Sequence, residues 1–250
     1  MPELLAIEGL RAGYGEAVVL PNMSLSLGDG EALALLGRNG TGKTTVINLL
    51  TGVLKPDAGR ILLEGNDITD LPVHARVLRG LSRTFQINQL YADLTPLETI
   101  GLAVSERLGR GGDWWRRMGT RDDVNTEIAE TLARFRLLDV MNDLTATLPY
   151  GKQRLLEIAV AIAAKPRVLL LDEPAAGVPA SERHDILAAV AALPRDVTVL
   201  LIEHDMDLVF SFADRISVLV SGGMLVEGPP DEVARDPAVK AVYLGEAADA

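Results

Sequence analysis

Cysteine is absent from the 250 residues, so neither a disulfide framework nor a thiolate metal site is available. The three histidines, His74, His184 and His204, are too scattered to suggest a metal site. No apolar run approaches the roughly 18 residues needed to cross a bilayer. The richest, IAVAIAA and ILAAVAAL, stop well short, so a role at a membrane is expected to run through a partner. The N-terminal MPELLAIEGLRAGYG carries early acidic residues and no signal-length apolar stretch, so the chain is expected to stay in the compartment where it is made. Basic residues are outnumbered, 24 Lys and Arg against 35 Asp and Glu, a net charge of −11. That balance repels a polyanion unless a local basic groove overrides it, and no nucleic-acid partner is expected. No internal repeat or low-complexity tract is evident.

What is present suffices for a substantial core. At 48% hydrophobic, the chain fits one large α/β domain or a main domain with a helical lobe. Short apolar runs (EALALLG, RVLLLDEP, VTVLLIEHD) alternate with longer helical patterns, as in parallel strands covered on both faces. KPDAGRILLEGND reads as turn, strand and turn. RISVLVSGGMLVEGPP reads as two short strands around Gly222 and Gly223. From about Pro72 to Tyr150 the pattern is mostly helical, with a Gly/Arg/Trp-rich insert, LGRGGDWWRRMGTR; from Gly151 helix and strand alternate again.

Between a predicted strand ending at Leu36 and a helix stopped by Gly52 lies GRNGTGKTT, which fits G-x-x-x-x-G-K-[ST] with Gly37, Gly42, Lys43 and Thr44 in the fixed places. Glycines, Gly40 among them, let the backbone wrap closely, so that N–H groups near Asn39, Lys43 and Thr45 can point at nucleotide phosphates, and the helix N-terminus adds a favourable dipole. Lys43 adds a point charge, and the Thr44 hydroxyl can ligate Mg²⁺. A second run, VLLLDEP, places Asp172 at the end of a buried strand, where a carboxylate can hold Mg²⁺ through water. Glu173 beside it is the candidate base for an attacking water.

With these motifs and others in the same order, the whole chain resembles the ABC ATPase family. Tyr14 is similar to the aromatic that stacks on adenine, Gln86 in RTFQ to the glutamine at the lobe junction and metal, and His204 in LIEHD to the switch histidine near the γ-phosphate. LPYGKQRLLEIA is similar to the signature helix, which completes the ATP site of the other subunit in a head-to-tail pair, so Pro149, Tyr150, Gly151 and Lys152 are the expected contacts in trans. The resemblance implies a P-loop NTPase fold of the ABC ATPase type: a mostly parallel core sheet, an antiparallel β subdomain and an inserted helical lobe. It also implies one domain over 1–250, with the core at 1–85 and 151–250 and the lobe at about 86–150. ATP and Mg²⁺ are the implied cofactors. The implied partners are two transmembrane permease subunits, a second ATPase subunit that is either a different paralogue or a copy of this chain and, indirectly, an external substrate-binding protein, with the chain on the cytoplasmic face of the inner membrane.

Three positions depart from the family pattern. Pro149 stands where a serine usually donates to the γ-phosphate, Lys152 where glutamine is usual, and Pro179 where an aspartate is usual. These departures suggest a subunit that lends its partner a poorer half-site, as in an asymmetric pair of ATPases. RTFQ, LPYG, DEPAAG, LIEHDM and VYLGE resemble the ATPases of branched-chain amino acid importers. Importers of urea, amides or aromatic acids and a lipopolysaccharide exporter are alternatives. A non-transport ABC ATPase is disfavoured by the acidic balance and the lack of cysteines or a long heptad run. A binding-only subunit is disfavoured by intact Lys43, Thr44, Asp172 and Glu173. Trp114 and Trp115 are read either as a contact to a membrane subunit or headgroups, or as a loop folded onto its own lobe.

Overall fold

The computed structural model describes residues 3–84, 90–109, 122–194, 196–204 and 206–243. In chain order, β1 (Glu3–Tyr14) and β2 (Ala17–Gly28) form a hairpin, β3 (Ala32–Leu36) leads to α1 (Lys43–Thr51), and β4 (Ala58–Leu63) and β5 (Asn66–Asp67) follow. Next come α2 (Val73–Leu78), β6 (Leu81–Arg83), α3 (Pro96–Arg107), α4 (Asp122–Arg134) and α5 (Tyr150–Ala163). The chain then runs through β7 (Val168–Asp172), α6 (Ala180–Ala191), β8 (Thr198–Glu203), α7 (Met206–Phe212), β9 (Arg215–Val220), β10 (Gly223–Gly228), α8 (Pro230–Val233) and α9 (Pro237–Tyr243).

Among the described residues the strands form two sheets: an antiparallel one ordered β2-β1-β4-β5 and a six-stranded one ordered β10-β9-β3-β8-β7-β6. The second is parallel except for β10, which closes a hairpin on β9. The expected mostly parallel sheet with an antiparallel β subdomain is therefore present. Alternate residues of a strand face opposite sides, and β3 shows both sides covered. Leu33 and Leu35 join one buried cluster with Val46 and Ile47 of α1, while Ala34 and Leu36 join another with Val209 of α7 and Val233 of α8.

The helix after β3 ends as its sequence predicts. Gly52 adopts a left-handed conformation and its N–H donates to Leu49 O at 3.2 Å. A second device was not legible in the sequence. The guanidinium of Arg76, 1% exposed, donates to the carbonyls of Leu49 (2.6 Å), Leu50 (2.7 Å), Thr69 (2.7 Å) and Leu71 (2.9 Å). A cation thus sits on the carbonyl end of α1, where the helix dipole favours it.

The residues group into two compact units. One comprises 1–83, 167–173 and 194–250 and contains both sheets; the other comprises 84–166 and 174–193 and is helical. In the helical unit α3 opens with a capping box: Glu98 N–H donates to Thr95 Oγ1 (3.2 Å) and Thr95 N–H to Glu98 Oε2 (2.9 Å), with Pro96 as the first helical residue. Ile100 and Val104 of α3, Ile128 and Leu132 of α4, and Leu155 and Ala159 of α5 repeat every four residues and are buried. This unit takes in α5 and α6 and so reaches past residue 150. No helix among the described residues is long and apolar enough to cross a membrane.

Candidate nucleotide site

Parallel pairing brings the C-terminal ends of β3, β7 and β8 to one edge of the sheet. Leu36 is opposite Glu203, and Asp172 is opposite Ile202. Ligand crevices in open α/β sheets form at this edge. There the chain leaves β3 through residues 37–42 and enters α1 at Lys43. Gly42 holds φ at 107°, and a Cβ on it would come within 2.8 Å of Leu20 Cδ2, so β2 leaves room for glycine alone. Gly42 is also the N-cap of α1, and no side chain caps that end. Arg38, Asn39, Gly40 and Thr44 are exposed, while Gly37 and Thr45 are buried. The loop thus presents exposed backbone beside a helix N-terminus, the arrangement that receives phosphate oxygens.

Lys43 is buried, and its ammonium curls back to donate to the carbonyls of Gly37 and of Arg38, the latter at 3.1 Å. Burial lowers its pKa, while the charges of Glu173, Asp172 and Glu203 oppose that shift. The ammonium therefore lies in the field of three carboxylates. Asp172, 3% exposed, has its pKa raised by burial. The main opposing influence is Arg83, whose Nη2 is 2.9 Å from Asp172 Oδ2. Glu173 turns away from β7 with a left-handed φ of 46°, its N–H donating to Ile202 O at 2.9 Å. Its Oε1 lies 3.6 Å from Nδ1 of His204, which is largely exposed. Glu203, 2% exposed, accepts from the His204 N–H at 3.1 Å and lies 3.7 Å from its Nδ1.

The structure thus brings Lys43, Asp172, Glu173 and His204 together, as the sequence motifs require of one site. Tyr14 is half-exposed at the end of β1, opposite Ala17, on the same hairpin whose Leu20 meets Gly42. Gln86, Trp114 and Trp115 lie outside the described residues. Two charged residues of the site were missed: Arg83 and Glu203. The available signal was a charge at the end of an apolar strand, RTFQ for the first and LIEHD for the second; neither has a spacing rule of its own.

The signature stretch belongs to the helical unit. Pro149 is the N-cap of α5 and supplies no capping hydrogen bond. Tyr150 is partly exposed, with the Arg154 guanidinium 5.7 Å above its ring. The Gly151 N–H donates to Glu182 Oε2 at 3.0 Å, and a Cβ on Gly151 would lie 2.2 Å from that oxygen. Lys152 is bound within its own unit, donating to Asp139 at 2.9 and 3.1 Å and to the Arg136 carbonyl. Pro179 is the N-cap of α6.

Comparison with known proteins agrees with this geometry. Residues 20–176 match a family described as ABC transporter, and residues 224–249 match one described as branched-chain amino acid ATP-binding cassette transporter. The chain is 37% identical to the high-affinity branched-chain amino acid transport ATP-binding protein BraF of Pseudomonas aeruginosa, covering 98% of both chains. It is 38% identical to LivG of Escherichia coli, described in the same words, again over 98% of both. Among solved structures, a nucleotide-free ATP-binding cassette from an ABC transporter superposes with a TM-score of 0.80 at 30% identity, covering 98% of this chain and 100% of the other. An ADP conformation of an ABC transporter cassette gives 0.80 at 29% identity, with coverage of 98% and 100%. The chain belongs to the ABC transporter family, as one of its ATP-binding cassettes.

Proposed function

We propose that this chain is the ATP-binding and ATP-hydrolysing subunit that powers an ABC importer of branched-chain or related amino acids. The observation that carries the ATPase reading is the convergence of Lys43, Asp172 and Glu173 beside the loop that opens α1. The cargo rests on the C-terminal match and on the near-full-length relatives, because the cassette itself has no need to touch the transported molecule.

In this reading the amides of residues 39–45 and the Lys43 ammonium hold the β- and γ-phosphates, with Tyr14 against the adenine. Lys43 gives up its loop carbonyls for phosphate oxygens and offsets the charge that develops as the γ-phosphate departs. Glu173 accepts a proton from the attacking water, and His204, held at its backbone by Glu203, orients the γ-phosphate and that water together with Gln86. Glu173 and His204 face each other closely enough to act on one water.

The donor set suits Mg²⁺. Asp172 is a buried carboxylate at the end of its strand, and Thr44 is the exposed residue of the first turn of α1 and carries a hydroxyl. Mg²⁺ is commonly held by one or two protein oxygens together with the nucleotide's phosphates. Thr44, Asp172 and Gln86 would hold it, and when bound it supplies charge neutralisation at the phosphates.

Two cassettes closing head to tail would each place Pro149, Tyr150, Gly151 and Lys152 at the other's γ-phosphate. The loss of that phosphate after hydrolysis releases the pair. The working assembly is then two permease subunits, this cassette and a second one, peripheral at the cytoplasmic membrane face and fed by an external binding protein. Reconstitution of the complex in vesicles tests this. Branched-chain amino acid uptake should require ATP and stop in Glu173→Gln, and uptake or hydrolysis at the wild-type rate in that variant would defeat the reading.

A further inference from the structure

Asp172 is tied to one cation of the chain itself. Arg83 stands at the end of β6, opposite Leu170 of β7, so its side chain runs along the neighbouring strand to the carboxylate two residues further on. Nη2 donates to Asp172 Oδ2 at 2.9 Å, and Nη1 donates to Asn48 Oδ1 of α1 at 3.2 Å. The two ionic side chains are 12% and 4% exposed. The guanidinium therefore joins the helix that follows the phosphate loop to the strand that carries the metal-binding acid. A planar fork with donors in fixed directions holds both contacts in a single geometry.

The charge balance gives this contact a function. Around Lys43 stand three carboxylates, Asp172, Glu173 and Glu203. Among the described residues, Lys43 and Arg83 are the cations set against them. A nucleotide draws Lys43 to its phosphates and adds negative charge beside these acids. Without a metal, Arg83 would then be the cation left on Asp172, a duty that a bound divalent ion would share.

We propose that Arg83 stands in for the divalent cation at Asp172: it neutralises and orients that carboxylate before metal arrives, and so sets how strongly nucleotide binding depends on Mg²⁺. Arg83 is a positioning residue, acting on the nucleotide through Asp172. Removing one partner of this buried ion pair would leave the other uncompensated.

The inference rests on the reading of residues 37–45 as the nucleotide site, and calorimetric titration of the purified chain with ADP tests the two separately. Titrations are run in excess Mg²⁺ and in EDTA, on wild type, Arg83→Gln and Arg83→Lys. Arg83→Gln is expected to weaken ADP on the order of tenfold in EDTA and far less in Mg²⁺, where the ion replaces the lost charge, a coupling of ordinary size. Arg83→Lys keeps the charge and is expected to hold the ratio of the two affinities near wild type. Equal weakening of Arg83→Gln in both buffers, or none in EDTA, overturns the inference. Should the glutamine variant not fold, an Arg83→Lys chain whose ratio departs about tenfold from wild type overturns it as well. Wild type that binds no ADP in either buffer defeats the nucleotide-site reading itself. Wild-type binding with an unaltered ratio in the variants defeats this inference alone.

Discussion

The Glu173 carboxylate lies 3.6 Å from Nδ1 of His204, and Glu173 reaches that position from a left-handed backbone with φ of 46°. For a residue with a Cβ this conformation costs roughly 1–2 kcal/mol, a strain of the kind kept where a side chain must be aimed. Two substitutions separate the aim from the strain. Glu173→Gln keeps the backbone and removes the proposed base, and hydrolysis should fall about 10²- to 10⁴-fold with nucleotide binding retained. Glu173→Gly also abolishes hydrolysis but relieves the strain, so its thermal midpoint should lie at or above that of wild type. A glycine variant that melts well below wild type would show that the left-handed turn is held without strain.

Asp172 and Lys43 have pKa values pushed towards each other, the carboxyl raised and the ammonium lowered, in both cases chiefly by burial. For Asp172 the folded value exceeds the unfolded one, so its ionisation subtracts from stability as pH rises through the folded value. This penalty is absent below the unfolded pKa. For Lys43 the folded value lies below the unfolded one, so the cost of keeping it charged is relieved as pH rises towards its ordinary value of 10.5. The functional consequence concerns metal. As pH falls, Asp172 takes up its proton above the ordinary value of 3.8, and the strengthening of ADP binding by Mg²⁺ should disappear at a pH higher than an unperturbed carboxylate would give. ADP titrations with and without Mg²⁺ across this range check the point.

Pro149 caps α5 with φ of −53° and ψ of 148°, an extended geometry that serine adopts readily. Pro149→Ser should therefore give α5 a side-chain cap and stabilise the chain by about 1 kcal/mol, read from the thermal midpoint. In the proposed head-to-tail pair it should also supply a donor to the partner's γ-phosphate, worth about 1.5–3 kcal/mol for a bond to a charged group, and turnover at that site should rise. Inactivating Glu173 here and the matching base in the second ATPase tests the asymmetry directly. Equal losses from the two would count against an unequal pair.

Arg76 donates to four backbone carbonyls from a buried position. Arg76→Met fills part of the volume but leaves the end of α1 without its donors. A loss of about 3 kcal/mol or more is expected, the size seen when a buried hydrogen-bonded network is broken. Because α1 begins with Lys43, nucleotide affinity should fall along with denaturant resistance; a variant of unchanged stability would show that water replaces the guanidinium.

Much of the site was legible because its chemistry is local in sequence. G-x-x-x-x-G-K-T marks a loop by its spacing, since the tight turn into α1 takes a left-handed φ at Gly42 that glycine adopts without strain. The apolar runs of β3, β7 and β8 are buried along their whole length, so their composition declared a sheet covered on both faces. The Gly52 helix stop and the β9–β10 hairpin were legible for the same reason: each depends on a few adjacent residues.

Arg83, Arg76 and Glu182 were not legible, because each acts across the chain, and Glu203 was not because its burial beside Lys43 is set by the packing of the sheet. Arg83 meets Asp172 from 89 positions away, Arg76 meets Leu49 from 27, and Glu182 meets the Gly151 N–H from 31. Sequence alone determined where the phosphate loop, the acid pair and the strands lie, since backbone conformation and burial pattern are properties of short segments. Only the tertiary structure decided which charges neutralise one another, because an ion pair depends on distance in space, and strand order β3-β8-β7-β6 sets that distance independently of position in the chain.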